Sequence, residues 1–286
     1  MILITEPSDV IYDAISKPIR LIITDSEDIA AKVAAVHTLG VAAFYGGASL
    51  DELQEIMTFF VEIIESDGEV VGAGDSGEVV TAALEEWGFL ATQFEDLEDT
   101  TDESMEAFVE QLESSEASVQ IAAGENIALL YEMSYTELEE DEDPAMAAGN
   151  SDSDESDDGT TTKMVKRYTV YRREDQLKHT LEELATASSR RITKKDRKSL
   201  HTNFADILNS VENPTKGPRY SNAIDAQTGK VYGSRMTVGL GVNSRGPTAL
   251  KITKWRDLHR LNALRRILQG GFLIHYHGND AVRETI

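Results

Sequence analysis

AALEEWGFL (residues 82–90) aligns without a gap with AAVHTLGVA (34–42) and AAGENIALL (122–130). Each segment opens on two alanines, passes three variable residues, and reaches a large apolar residue followed by glycine or alanine. The segments start 48 and 40 residues apart, the spacing of stacked helical pairs of the HEAT and armadillo kind. Small residues at fixed places let one helix approach the next, and the large apolar residue packs between layers. The pattern therefore predicts the second helix of each pair. Apolar segments at Val10 to Ile23, Leu50 to Ile64 and Met105 to Leu112 predict the first helices. Ser49-Leu50-Asp51-Glu52 and Asp75-Ser76-Gly77-Glu78 each place a capping residue three positions before a glutamate, a helix-start signature. Stacked repeats are normally closed by a polar terminal repeat. Here the chain opens on Met1-Ile2-Leu3-Ile4, which predicts further repeats upstream.

The charge is divided as sharply as the pattern. The 286 residues carry a net charge of -24. Residues 1–162 hold three Lys and Arg against 40 acids, and residues 163–286 hold 24 Lys and Arg against 11 acids, giving -37 and +13. Such asymmetry points to a polyanion partner for the basic part and makes direct nucleic-acid binding by the acidic part unfavourable. No apolar run reaches the roughly 18 to 20 residues of a membrane span, and Glu6-Pro7 breaks any signal-peptide pattern at the start. The absence of cysteine excludes disulfides, thiolate metal sites and thiol nucleophiles. It fits a cytoplasmic protein, or one that also enters the nucleus.

Three domains follow. Residues 1–136 form the helical-repeat domain, residues 137–162 an acidic disordered linker, and residues 163–286 a basic helical module. ELEEDEDPAMAAGNSDSDESDDGTTT has too few large apolar residues to order itself. Ser151, Ser153 and Ser156 lie among acids there, as an acid-directed kinase requires. The linker reads either as a solvated spacer or as an acidic mimic that competes with RNA for the basic module; in the second case its deletion tightens RNA binding. The repeat domain reads as a solvated scaffold or as a surface for a partner protein.

In the basic module, Leu177, Leu181 and Leu184 predict one helix. A second carries Leu200, Phe204, Ile207, Leu208 and Val211 on one face and ends near Asn213-Pro214. Ahead of that face lie Arg190, Arg191, Lys194, Lys195, Arg197 and Lys198. On a helical wheel the three lysines project away from the apolar side and Arg197 flanks it, a ridge suited to phosphate contacts; a solvated face or a nuclear-import signal is the plainer reading. Residues 213–248 read as a Gly-rich surface loop. GLGVNSRG lacks the βαβ setting and the GKS or GKT of a nucleotide loop, while Arg235 and Arg245 extend the basic surface. Trp255, Leu258, Leu261, Leu264 and Leu268 stripe a further helix edged by Arg256, Arg260, Arg265 and Arg266, with Gly270-Gly271 as its C-cap. His275 and His277 lack a third ligand and a paired acid, so packing or base stacking suits them better than a metal or general-base role.

RKSLHTNFADILNSVE followed by WRDLHRLNALRRILQGGFLIHYHGNDAVRE resembles the C-terminal region of the interferon-related developmental regulator family. Trp255, Leu268, Gly270, His275, His277, Asn279 and Arg283 match its pattern, whereas Gly271 and Val282 depart from it. Ile121 to Glu132 is similar to that family's signature of the form IAAGE-x-IALL-x-E. The resemblance implies a translational regulator that binds ribosomes through small-subunit rRNA and blocks the tRNA and mRNA region. Its alternative implication is a protein-binding scaffold acting as a transcriptional co-regulator with deacetylase complexes. The expectation is an all-α, non-enzymatic protein with no catalytic residue, no cofactor or metal, no membrane and no small-molecule substrate. Its RNA-binding residues would be the six cations at 190–198 with Arg256, Arg260, Arg265, Arg266, His275 and His277.

Overall fold

Three pairs of helices account for residues 9–133 in the computed structural model: α1 (Asp9–Asp25) with α2 (Ile29–Tyr45), α3 (Leu50–Glu65) with α4 (Gly77–Ala91), and α5 (Glu98–Gln111) with α6 (Ala117–Met133). The structure describes residues 9–139, 142, 163–186, 194–218, 222–224, 231–234, 237–239 and 249–286. The chain is mostly helical, as its periodicity predicts. The three aligned segments fall on α2, α4 and α6, which pack side by side as an inner row. A helix apolar over most of its circumference must be covered on most sides, and α4 buries eleven of its residues, Trp87, Phe89 and Leu90 among them, leaving Glu78, Thr81 and Glu85 at its less buried edge. The outer helices are amphipathic instead; α3 turns Leu53, Ile56, Phe60 and Ile64 inward and its glutamates outward.

Local signals explain several of the element boundaries. Ser49 and Glu52 form the reciprocal capping box at the start of α3. At the next predicted start the outcome differs, because α4 begins one residue later than Asp75 would set it. Ser76 is the N-cap there, without a side-chain hydrogen bond, and Asp75 adopts a left-handed φ of 59° in the preceding turn. Lys32, one of the few cations of the acidic part, is buried in α2 and donates from Nζ to the carbonyls of Ile23, Thr24 and Val71. It thereby satisfies carbonyls at the end of α1 that no turn of the helix can reach, and burial pushes its pKa down.

The polypeptide then forms a short antiparallel ladder that sequence periodicity does not announce. β1 (Tyr135–Glu137) pairs with β2 (Met164–Lys166), Tyr135 opposite Lys166 and Glu137 opposite Met164. The basic part thus begins with a strand, and the two ends of the acidic stretch are fastened together. Most of that stretch, with Ser151, Ser153 and Ser156, lies outside the described residues. Glu142 is described; the guanidinium of Arg167 holds its carboxyl down to about 2.

Beyond the ladder, α7 (Glu174–Thr186) pairs with α8 (Lys194–Glu212), and α8 lies against α6. The inner row therefore runs α2, α4, α6, α8 across the compositional boundary. Gly124 permits that contact: a Cβ there would fall 2.7 Å from Ile207 Cδ1 and 3.1 Å from Phe204 Cε1. Leu200, Phe204, Ile207 and Val211 are all buried, as the wheel requires. Where a Gly-rich loop is expected at 213–248, short strands pair antiparallel among the described residues: β3 (Asn222–Ile224) with β4 (Val231–Ser234), and β5 (Thr237–Gly239) with β6 (Ala249–Lys251), which lies just past that stretch. Arg235 and Arg245 lie outside the described residues.

The chain ends in α9 (Trp255–Leu268), α10 (Phe272–Gly278) and α11 (Asp280–Arg283). The C-cap of α9 is Gln269, at φ 45°, in place of the glycine pair. One hydrophobic core runs from Tyr12 to Val282. Acidic and basic parts share it, where composition alone suggests two bodies joined by a linker. Among the described residues no helix is long and apolar enough to cross a membrane.

Candidate nucleic-acid interface

The cations singled out in the sequence go to two different places. Lys194, Lys195, Arg197 and Lys198 lie in the first turns of α8, the helix whose opposite end is buried beside α6. Arg190 and Arg191 lie outside the described residues. The arginines of α9 do not join them, because α9 is laid across the inner row and spends three of its four arginines on it.

Its path follows from its contacts. At the first turn, the Trp255 ring is fully buried and its Nε1 donates to Ser210 Oγ of α8 at 2.7 Å. The backbone N–H groups of Trp255 and Arg256 donate to the two carboxylate oxygens of Glu132, on α6, at 2.8 and 3.0 Å. A helix start leaves such N–H groups without an intrahelical acceptor, so a carboxylate from another helix serves as the cap. One turn on, Arg256 Nε donates to the carbonyl of Thr92 at 3.0 Å, and Arg260 donates to the same carbonyl at 2.7 Å and to Thr92 Oγ1 at 3.0 Å. Thr92 terminates α4, so two guanidinium groups meet the negative end of that helix. Arg260 also donates to the Thr285 carbonyl at 3.2 Å and lies 5.7 Å from the centre of the Phe44 ring. Thr285 in turn shares a 2.8 Å hydrogen bond with Tyr45, at the end of α2.

Between these contacts His259 fits into a notch. A Cβ on Gly88 would fall 2.5 Å from His259 Nδ1 and 2.2 Å from Asn126 Oδ1, so only glycine lets α9 and α6 approach α4 here. At the far end of α9, Arg266 pairs with Glu86 and, at 3.2 Å, with Glu85. Glu86 is fully buried and also lies 2.8 Å from His37 Nδ1 of α2. From Trp255 to Arg266 the helix touches α8, α6, α4 and, through Glu86 and His37, α2.

The remaining predicted residues are peripheral. Arg265 is half-buried and is engaged by its surroundings. His275 is half-buried in α10 and His277 is exposed, its ring edge-on to Tyr276 at 5.8 Å. Among the described residues no three His, Asp or Glu side chains are placed to hold a metal.

Glu132 was not among the residues the sequence singled out, although it closes the repeat signature. Its environment is mixed: burial raises its pKa, two backbone N–H donors lower it, and burial wins, pushing it up to about 7. The folded state therefore binds a proton that the unfolded chain releases near pH 4.5. This contribution is complete below about pH 4.5 and is lost as pH rises through about 7. Subtracting the stability of Glu132→Gln from that of the parent, by urea melts from pH 4 to 8, is expected to give a curve that falls over this interval and is flat above it. A flat difference throughout would remove Glu132 as the titrating cap.

Known proteins place the row of helices in context. The model of the interferon-related developmental regulator family matches residues 1–212. The chain belongs to the interferon-related developmental regulator family. The family match closes with α8, so α9 to α11 lie beyond it. An uncharacterized protein of Schizosaccharomyces pombe is 29% identical over 229 residues, covering 80% of this chain and 45% of that protein. The chain thus spans about half the length of this curated relative.

Proposed function

We propose that this member of the family is a ribosome-binding translational regulator, built on a HEAT or armadillo-like solenoid, that meets rRNA through the start of α8. The observation that carries this reading is the anchorage of α8. Leu200, Phe204, Ile207 and Val211 are buried against the repeats, while Lys194, Lys195, Arg197 and Lys198 occupy the turns just before that buried face. A run of cations at the start of an anchored helix suits phosphate contacts, which position a protein without reading sequence. Blocking by occupancy needs binding energy and shape alone. In this reading Arg256, Arg260 and Arg266 act indirectly, by holding α9 on the row that fixes α8, and Arg265, His275 and His277 lie at the edge of the footprint.

Co-sedimentation with ribosomes across a salt series tests it. Binding is expected to weaken steeply with salt, and Lys194→Glu with Lys198→Glu is expected to weaken it further and lower the log–log salt slope by about two. Absence of pelleting at low salt would replace this reading with the protein-binding scaffold.

A further inference from the structure

We infer that the inner face of the helical row is an acceptor site for a basic amphipathic helix, that α9 is its occupant in cis, and that a partner protein's helix of the same pattern displaces it. Three observations carry the inference, none of which depends on ribosome binding.

First, α9 is not itself a member of the row. Helices α1 to α8 pair with one another and stack through α2, α4, α6 and α8. The residues from Asn213 to Lys254 separate α8 from α9, so α9 is an arm on a long connection and not the next member of the row.

Second, the face is built to receive a helix and not merely to cover apolar surface. It supplies an acceptor for the free N–H groups of a helix start at Glu132, the carbonyl and hydroxyl of Thr92 for guanidinium groups, a glycine notch at Gly88, and a buried carboxylate at Glu86. Read outward, these demand an aromatic at the first position of the incoming helix and arginine at the second, sixth and twelfth. Leucines at the fourth, seventh and tenth complete the pattern. In α9 these are Trp255, Arg256, Arg260 and Arg266, with Leu258, Leu261 and Leu264 buried.

Third, α9 fills the face imperfectly. Glu86 Oε2 is buried and unpaired, and Arg266 Nε beside it is unpaired as well. An unsatisfied buried carboxylate oxygen costs stability. Arg266 and His37 both engage Oε1 of Glu86, so a helix whose donor also reaches Oε2 gains the contact that α9 leaves. The tether gives α9 a high effective concentration, which any partner must overcome.

The test removes the tether and keeps both pieces. A protease recognition sequence is inserted between Ile224 and Val231 of the full chain, and the uncut variant is required to melt like the parent. After cutting, the C-terminal piece is expected to stay bound through size-exclusion chromatography. A fluorescent peptide of residues 252–271 in excess is then expected to displace that piece and take its place. The same peptide with Arg260→Glu and Arg266→Glu is expected to bind at least about tenfold more weakly, because guanidinium contacts at the centre of a buried face dominate its affinity. Three outcomes overturn the inference: loss of the C-terminal piece on cutting, aggregation of the remainder when the piece leaves, or failure of excess peptide to enter.

Discussion

Trp255→Ala is expected to destabilise the protein by about 3–5 kcal/mol, the range for emptying a buried tryptophan site. The side chain is fully buried, and its Nε1 is the hydrogen-bond partner of Ser210 Oγ on α8. Truncation leaves a cavity at the junction of α6, α8 and α9 and leaves a buried hydroxyl short of a partner, and the two losses add. Because Trp255 also starts α9, the Glu132 cap loosens with it. Urea denaturation followed by far-ultraviolet circular dichroism reads the loss, and Trp255→Phe separates its parts: the phenyl ring refills most of the volume without restoring the N–H. A Trp255→Ala protein within about 1 kcal/mol of the parent would show that α9 does not hold the row.

Arg266→Ala has the next largest expected effect, about 3 kcal/mol. Breaking a buried pair leaves an uncompensated charge, which is the costly direction. Glu86 is fully buried, whereas Arg266 keeps 22% of its side chain exposed, so the low end of the usual range applies. The pairing with His37 retains part of the compensation. Adding Glu86→Gln to Arg266→Ala is expected to recover much of the loss, since the neutral side chain removes the stranded charge. A thermodynamic cycle over the two single variants and the double variant measures the coupling. Strictly additive losses would mean that the two groups are not paired in solution.

The inner helices α2, α4 and α6 were legible because their signal is local and periodic. Ala34, Ala82 and Ala122 recur in one register, and the same register places Leu39, Trp87 and Ile127 in the core. The capping box at Ser49 was legible for the same reason, since both partners lie within one turn. The anchored face of α8 followed from Leu200, Phe204 and Ile207 alone. The destination of α9 did not. On a wheel, Arg256 and Arg260 flank an apolar stripe just as solvent-facing arginines do. What withdraws them from solvent is the end of α4 at Thr92, far away in sequence. A clue was nevertheless present: Glu85-Glu86 is an acidic pair in the middle of a mostly apolar helix, and a buried acid needs a cation. Asking where that cation comes from leads to Arg266. The ladder of β1 and β2 escaped because three-residue strands are too short to show a period of two. Glu132 escaped because an acid near a helix end reads as exposed until the N–H groups it accepts from are known.

The course of α9 has a consequence for how the protein comes apart. In a stack whose members touch only their neighbours, unfolding spreads from the ends and the melting curve is a sum of small steps. A helix that grips α8, α6 and α4, and through Glu86 the edge of α2, joins members that are not neighbours. Fraying of the last pair is then expected to loosen the first as well. A seated arm is therefore expected to make the row melt as a single cooperative unit, and a lifted one to let its helix pairs melt in steps.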